Sequence, residues 1–303
     1  MKIKRIGVIY GGKSSEREIS LKTGTAIAKA LKEEYYSVIL LDSGKANFVK
    51  KILKSKIDFA FIALHGPGGE DGSMQGFLET LDIPYNGCGV LASAVSMDKI
   101  YSKKIFEYEN IPTPEWYVIP FNAPFLDSRF SFPVIVKPAR QGSAIGINIA
   151  RKKTELKRAI KEALKYDSEV IIEQYIEGKE VTVAILGDRA LTPIEIIPKN
   201  EFYDFYSKYS AGGSEHLVPA RLSDKISKKA MEIGLRAHKS LGCKAVSRID
   251  MIIDKRNNIY VLEVNTIPGM TNTSLLPDAA KYEGISFGKL LKNIIYYSLN
   301  EKI

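Results

Sequence analysis

Two apolar runs near the end of the chain constrain the fold more than any other part of the 303-residue sequence. AVSRIDMIID (245–254) and YVLEVN (260–265) have the composition of buried strands, yet Arg248, Asp250, Glu263 and Asn265 interrupt them. Side chains alternate faces along a strand, so Arg248 shares a face with Asp250, and Glu263 with Asn265. A short polar turn, Lys255–Asn258, joins the runs and predicts a hairpin. With an even loop, paired positions sum to 513, and Asp250 falls opposite Glu263 and Arg248 opposite Asn265. An odd loop puts the two sets on opposite faces. On one face, two carboxylates and an amide oxygen form a hard oxygen set of the kind that binds Mg²⁺ together with substrate phosphates. The alternative is a structural Arg–Asp–Glu cluster on a surface sheet. The apolar neighbours Ile249, Ile252, Val261 and Leu262 favour a cleft, and the following PGMTNTS is a loop whose backbone N–H groups can meet an anion.

The rest of the chain divides by texture. RIGVIY, YSVILLD and DFAFIAL read as strands separated by helices, which predicts a parallel α/β sheet with ligands at the strands' carboxyl ends. Gly-rich turns, GGKSSE and HGPGGEDGS, leave two of those ends. GVIYGGKS satisfies the P-loop pattern, but Val8, Ile9 and Tyr10 belong to the strand rather than to a phosphate loop. Ser15-x-x-Glu18 has capping-box spacing. Glu16, in the first helical turn, either complements the helix dipole or binds an ammonium in the crevice.

From about Val90 an α+β pattern takes over: one helical stretch SAVSMDKIYSKKIFEYEN, short strands FPVIVKPA and GINIA, a helix 154–166, and the strand EVIIEQYI. EVTVAILG and ALTPIEII read as two more strands, followed by a Tyr/Ser-rich loop 199–216, a helix 224–241 and a last amphipathic helix. Lys137 ends an apolar strand, and a buried lysine needs an anion. Lys99 has a solvated helix face as its default. ARQGSAIG is a flexible loop able to close over phosphate through backbone N–H groups and the Ser143 hydroxyl. EQYI presents either backbone edges to a purine, with Tyr175 packing beside it, or an ordinary edge strand; Glu180 meets ribose hydroxyls or solvent.

Bulk properties exclude several classes. A 303-residue chain with 45% hydrophobic and 26% charged residues suits a globular protein of two or three domains. Cys88 and Cys243 sit in no metal or redox spacing and read as reduced thiols of a cytoplasmic protein. The N-terminal apolar run is too short for a signal peptide, and no run reaches membrane-spanning length. The net charge is +9, but the basic residues are mixed with acids on surface helices. No nucleic-acid motif appears, and anionic small substrates remain compatible with the charge.

Taken together, GGKSSEREIS, ALHGPGGEDG, SMDK, VKPARQGSAIG, EQYIEGKE, FYDFYSKYS, SRIDMIID and LEVNTIPGMTNTS make the chain resemble the ATP-grasp superfamily, and within it the D-alanine–D-alanine ligases. The resemblance runs in order over nearly the whole chain. It implies an ATP-grasp fold behind an N-terminal parallel α/β domain: 1–92 for substrate, 93–178 central, and 179–303 with the metal site and a lid loop. It implies ATP, two Mg²⁺ ions (or Mn²⁺), D-alanine as substrate, and a homodimer; the mixed charges and short apolar runs predict no nucleic-acid or membrane partner. By resemblance Asp250, Glu263 and Asn265 match metal ligands, and Lys99, Lys137 and Lys208 match phosphate contacts. Glu173, Tyr175, Ile176 and Glu180, with Phe202 and Leu262, match the adenine and ribose site. Glu16 matches the holder of the first D-alanine's ammonium. His65, Glu70, Ser143, Tyr209, Arg248, Gly269, Ser274 and Leu275 match the substrate and transition-state site. Gln141, Ala144, Gln174 and Thr273 depart from the commoner Glu, Ser, Lys and His of the family. Tyr209 favours a dipeptide over a depsipeptide product.

Overall fold

The computed structural model describes residues 3–120, 131–198, 214–271 and 274–300. Phe202, Lys208, Tyr209 and Thr273 lie outside the described residues. Three sheets organise the chain. The first contains β1 (Arg5–Tyr10), β2 (Ser37–Asp42) and β3 (Phe59–Ile62), parallel and in the order β2-β1-β3. Ile6 and Val8 pack on Ile27 and Leu31 of α1 (Arg17–Glu33). Ile9, Leu41 and Ile62 pack on α2 (Phe48–Ser55) and α3 (Ser73–Thr80). Both faces are covered, which is why these strands are apolar without alternation.

The second sheet is antiparallel, in the order β4-β7-β5-β6: β4 (Trp116–Pro120), β5 (Val134–Pro138), β6 (Asn148–Ala150) and β7 (Glu169–Gln174). Leu156, Ala159 and Ala163 of α6 (Lys153–Ala163) cover one face against Val134, Val136, Val170 and Ile172. The third sheet runs β11-β10-β8-β12-β13, with β9 beside β8. Its strands are β8 (Gly178–Leu186), β9 (Arg189–Ala190), β10 (Ile194–Pro198), β11 (Ser214–Leu217), β12 (Val246–Asp254) and β13 (Ile259–Asn265). The helix Asp224–Ser240, α7, buries Ala230, Ile233 and Ala237 against Val181, Val183, Ile249 and Met251. Finally α8 (Leu275–Tyr282) and α9 (Phe287–Asn300) pack on β8 of the third sheet, α9 also on α1, and Leu276, Leu290 and Ile294 join a cluster shared by Ile6, Leu31, Ala184 and Leu186. No helix among the described residues is long and apolar enough to cross a membrane.

Several elements differ from expectation. The stretch 93–110 is two helices, α4 (Val90–Met97) and α5 (Lys99–Tyr108). Asp98 separates them in an extended conformation, and its carboxylate accepts from the N–H groups of Ile100 (2.9 Å) and Tyr101 (3.2 Å). An Asp is a strong N-cap, and here it starts a second helix within a periodic run. The Ser15–Glu18 capping box is not formed: Glu16 is the N-cap, and the Ser14 hydroxyl accepts from its N–H. ALTPIEII is split, because Pro193 lacks a ladder N–H. The segment ending at His216 is partly strand, since Ser214–Leu217 pairs with β10. The EVIIEQ strand is internal, between β4 and β5, and not an edge. The P-loop pattern is broken by β1 itself, which runs through Tyr10 and leaves Lys13 exposed.

Candidate active site

The hairpin of β12 and β13 places its four polar side chains by an irregularity. Its turn is odd. Asp254 N–H donates to Asn258 O, with Asn257 left-handed at φ 63°. From there the ladder sums to 512, with Ile253 opposite Ile259 and Met251 opposite Val261. Continued unchanged, it would set Leu262 opposite Asp250 and send Glu263 to the buried back face. A β-bulge intervenes: between Asp250 and Met251 the register shifts, and Asp250 pairs with Glu263 and Arg248 with Asn265. Strand β12 stays regular against β8, so Leu262 is the extra residue. Val261 and Val264 are buried while Leu262 and Glu263, adjacent in sequence, are both half-buried on the cleft side.

Asp250 is firmly oriented. Arg248 donates to both its oxygens, at 2.9 and 2.7 Å, Thr182 Oγ1 donates at 2.8 Å, and Asn265 Nδ2 donates at 3.1 Å. Thr182 lies directly opposite Asp250 on β8, a partner the sequence did not reveal. The Asn265 amide oxygen remains as a hard donor beside Glu263. Among the described residues no three His, Cys, Asp or Glu side chains converge. Two carboxylates and one amide nevertheless suit Mg²⁺, which completes its shell from phosphate and water.

Lys99 is not solvated: it is 5% exposed. With Asp98 capping α5, Lys99 is its first residue, and its ammonium reaches Gln141 O at 2.7 Å and lies 3.5 Å from Glu263. Across the cleft, Lys137 has the anion its burial demands: its ammonium is 2.7 Å from Glu173 Oε2. Ile135 is opposite Glu173, so Lys137, two residues on, shares that face. The other oxygen, Oε1, is 2.8 Å from Lys103, a residue the sequence analysis passed over. The loop after Lys137 is left-handed at Ser143 (φ 53°), Ala144 (φ 59°) and Gly146 (φ 75°). A Cβ at Gly146 would meet Pro138 and Tyr166 at 2.8 Å, so only glycine turns the loop there. Arg140 anchors its start, with three hydrogen bonds to the Asp167 carboxylate.

A cleft of about 360 Å³ lies between the second and third sheets. Lys99, Lys137, Glu173, Tyr175, Ile176, Glu180, Leu262, Asp250 and Glu263 all line it. So do Glu195 and Arg221, which sequence reasoning missed; Arg221 donates to Glu195 through Nε (3.0 Å) and Nη2 (2.6 Å).

On the first sheet's side, Glu16 is 3% exposed and accepts from the Ser143 hydroxyl, which joins the α1 N-terminus to the glycine loop. Gly66 (φ 69°) gives it room, since a Cβ there would sit 2.5 Å from a Glu16 oxygen. His65 stands between Thr23 Oγ1 (3.1 Å to Nε2) and Glu70 (3.4 Å to Nδ1). Burial pushes the Glu70 carboxyl up from its ordinary range, while His65 opposes the shift. Gly69 and Gly66 hold the same loop closed by a backbone bond of 3.1 Å. Beyond β13, Ser274 Oγ accepts from Thr271 N–H at 2.9 Å and lies close against Gly269. Ser274 is the N-cap of α8, whose first residue, Leu275, is buried. The structure thus brings the cleft candidates together and links them, through the Glu16–Ser143 bond, to the group around Glu16; Gly269, Ser274 and Leu275 form a separate contact after β13.

The chain matches family models described as D-ala D-ala ligase N-terminus, over residues 5–53 and 42–88, and D-ala D-ala ligase C-terminus, over residues 105–296. It is 48% identical over 307 residues to a D-alanine–D-alanine ligase of Carboxydothermus hydrogenoformans, covering 97% of this chain and 98% of that protein. The crystal structure of a D-alanine–D-alanine ligase from Bacillus anthracis complexed with ATP superposes with a TM-score of 0.86 at 37% identity, covering 98% of this chain and 97% of that one. VanG, a D-Ala:D-Ser ligase from Enterococcus faecalis, superposes with a TM-score of 0.85 at 31% identity, covering 98% and 100%.

Proposed function

The chain belongs to the D-alanine–D-alanine ligase family, and we propose that it joins two D-alanines with ATP, by way of an acyl phosphate, to supply D-alanyl-D-alanine for peptidoglycan precursors. The observation that carries this reading is the bulge that sets Glu263 opposite Asp250 in a cleft also lined by Lys99 and Lys137. A carboxylate is a poor acyl donor. An oxygen of the first D-alanine's carboxylate attacks the γ-phosphorus of ATP, and ADP leaves. The amine of the second D-alanine attacks the acyl carbon, giving a tetrahedral oxyanion that collapses to the dipeptide and phosphate.

The position of the cleft residues and of Glu16 supports the parts given to them here. Glu16, buried at the α1 N-terminus beside Ser143, holds the first D-alanine's ammonium. Lys99 and Lys137 contact phosphate, while Glu173, Tyr175, Ile176, Glu180 and Leu262 hold adenine and ribose. Asp250, Glu263 and Asn265 would hold two Mg²⁺ ions, or Mn²⁺, whose chemistry when bound is neutralisation of phosphate charge. Arg248 and the Gly269 N–H donate to the oxyanion, one such donor being worth about 3 kcal/mol. His65, Glu70, Ser274 and Leu275 shape the second D-alanine's subsite. Phe202, Lys208 and Tyr209 belong to the proposed lid. The three sheets support a division at 1–92, 93–178 and 179–303, with α8 and α9 in a cluster that joins the third sheet to α1 and the first sheet. A cytoplasmic homodimer is the corresponding assembly.

Phosphate release with ATP and Mg²⁺ tests the reading. D-alanine is expected to support turnover, with L-alanine, D-lactate and D-serine far poorer. Equal release with both alanine enantiomers overturns it, and faster release on adding D-serine to D-alanine reassigns the second substrate.

A further inference from the structure

Lys103 is 0% exposed and does not line the cleft, yet its ammonium lies 2.8 Å from Glu173 Oε1 while Lys137 holds Oε2 at 2.7 Å. It also donates to Thr113 Oγ1, whose own proton goes to Val261 O at 2.8 Å. That leaves the hydroxyl only its lone pairs to offer, so it is an acceptor aimed at an ammonium. One lysine would suffice to neutralise a buried carboxylate. Burying a second charge costs several kcal/mol, and here the added cation has no access to solvent or substrate. A sequence of +1, −1, +1 has a net charge of +1. Without Lys103, Lys137 and Glu173 would cancel.

We propose that Lys103 is a positioning residue of the nucleotide cleft: by taking one oxygen of Glu173, it leaves Lys137 with net positive charge for the polyphosphate. The inference rests on the reading of the cleft as an ATP site. Burial pushes the Lys103 ammonium down to about 8, with Glu173 and Glu107 opposing and Lys137 assisting that shift, so the charge persists at neutral pH. Glu173 stays ionised for the complementary reason: burial acts to raise its carboxyl, but the two ammoniums outweigh it and hold it below the usual range.

Calorimetric binding of ATP, ADP and adenosine to the full chain separates charge from shape. In Lys103→Met, ATP affinity is expected to fall at least about tenfold, ADP less, and adenosine within about twofold, because the lost charge acts only on phosphate. Glu173→Gln removes the anion instead. It is expected to raise the ratio of ATP to adenosine affinity above wild type, whatever it does to adenine binding. Lys103→Met with Glu173→Gln is expected to return that ratio towards wild type, and these two variants keep the test open if Lys103→Met does not fold. Equal weakening of ATP and adenosine in Lys103→Met, or an unchanged ratio in Glu173→Gln, overturns the proposal. Wild-type chain that binds neither ATP nor adenosine overturns the reading of the cleft instead.

Discussion

At the scale of single residues, carboxylates set side by side repel, and Asp250 and Glu263 are each matched to a cation, Arg248 and Lys99. Glu263→Gln keeps the shape and removes one charge. Turnover is expected to fall at least about a thousandfold, a loss of several kcal/mol of electrostatic stabilisation. Thermal unfolding should shift little, because repulsion is relieved as the Lys99 contact weakens. Phosphate release and a melting curve check both, and retained turnover would sink the metal assignment. The carboxylates and the amide were legible because polar groups inside apolar strands need a reason. Lys99 was legible only through the family resemblance and Lys103 not at all, since a lysine on an amphipathic helix reads as solvated until the helix's neighbours are known.

At the scale of elements, the hairpin's bulge and the α4–α5 break place the chemistry. Deleting Leu262 removes the bulge and leaves a regular ladder in which Glu263 still falls opposite Asp250, because the register then sums to 512 throughout. That variant is expected to keep divalent-cation binding but to raise KM for ATP roughly tenfold, the value of a partly buried leucine side chain lost from the cleft wall. Binding of Mn²⁺ and steady-state kinetics check it, and loss of the cation would show that the bulge itself shapes the metal set. Asp98→Ala removes a cap worth about 1 kcal/mol, and should loosen Lys99 from Gln141 and Glu263. Its expected signature is a raised KM for ATP with a modest drop in melting temperature. The sequence pointed to the pairing of Asp250 with Glu263 through loop parity. Parity alone would have given the opposite answer, since the turn is odd and the bulge corrects it. The phase break is visible in IYVLEVN only as apolar Leu262 beside Glu263, a signal too local to fix a register.

At the scale of the whole molecule, the ionisable groups set an acid limit. His238 is buried on α7 against Ser247, 2.7 Å from Nδ1, and burial pushes it down to about 4. It stays neutral when folded but takes a proton when unfolded below about 6.5, so stability is lost as pH falls from 6.5 towards 4. The full effect is roughly 3 kcal/mol. Asp42 beside Arg17, and Glu195 beside Arg221, lie below the usual carboxylate range and add their loss as pH falls through those lowered values. Urea unfolding at pH 7, 5.5 and 4.5 is expected to show the decline, and His238→Gln should flatten the part above pH 4.5; an unchanged slope would exclude the imidazole. By itself the sequence determined the alternation of strands and helices, the glycine loops and the oxygen donors, because periodicity, turn chemistry and side-chain type act over a few residues. Only the tertiary structure decided which charges meet. Lys103 and Glu173 are 70 positions apart, Glu16 and Ser143 127, and a bulge of one residue chooses the face of Glu263. Electrostatic and packing partners are set by distance in space, which no local pattern encodes.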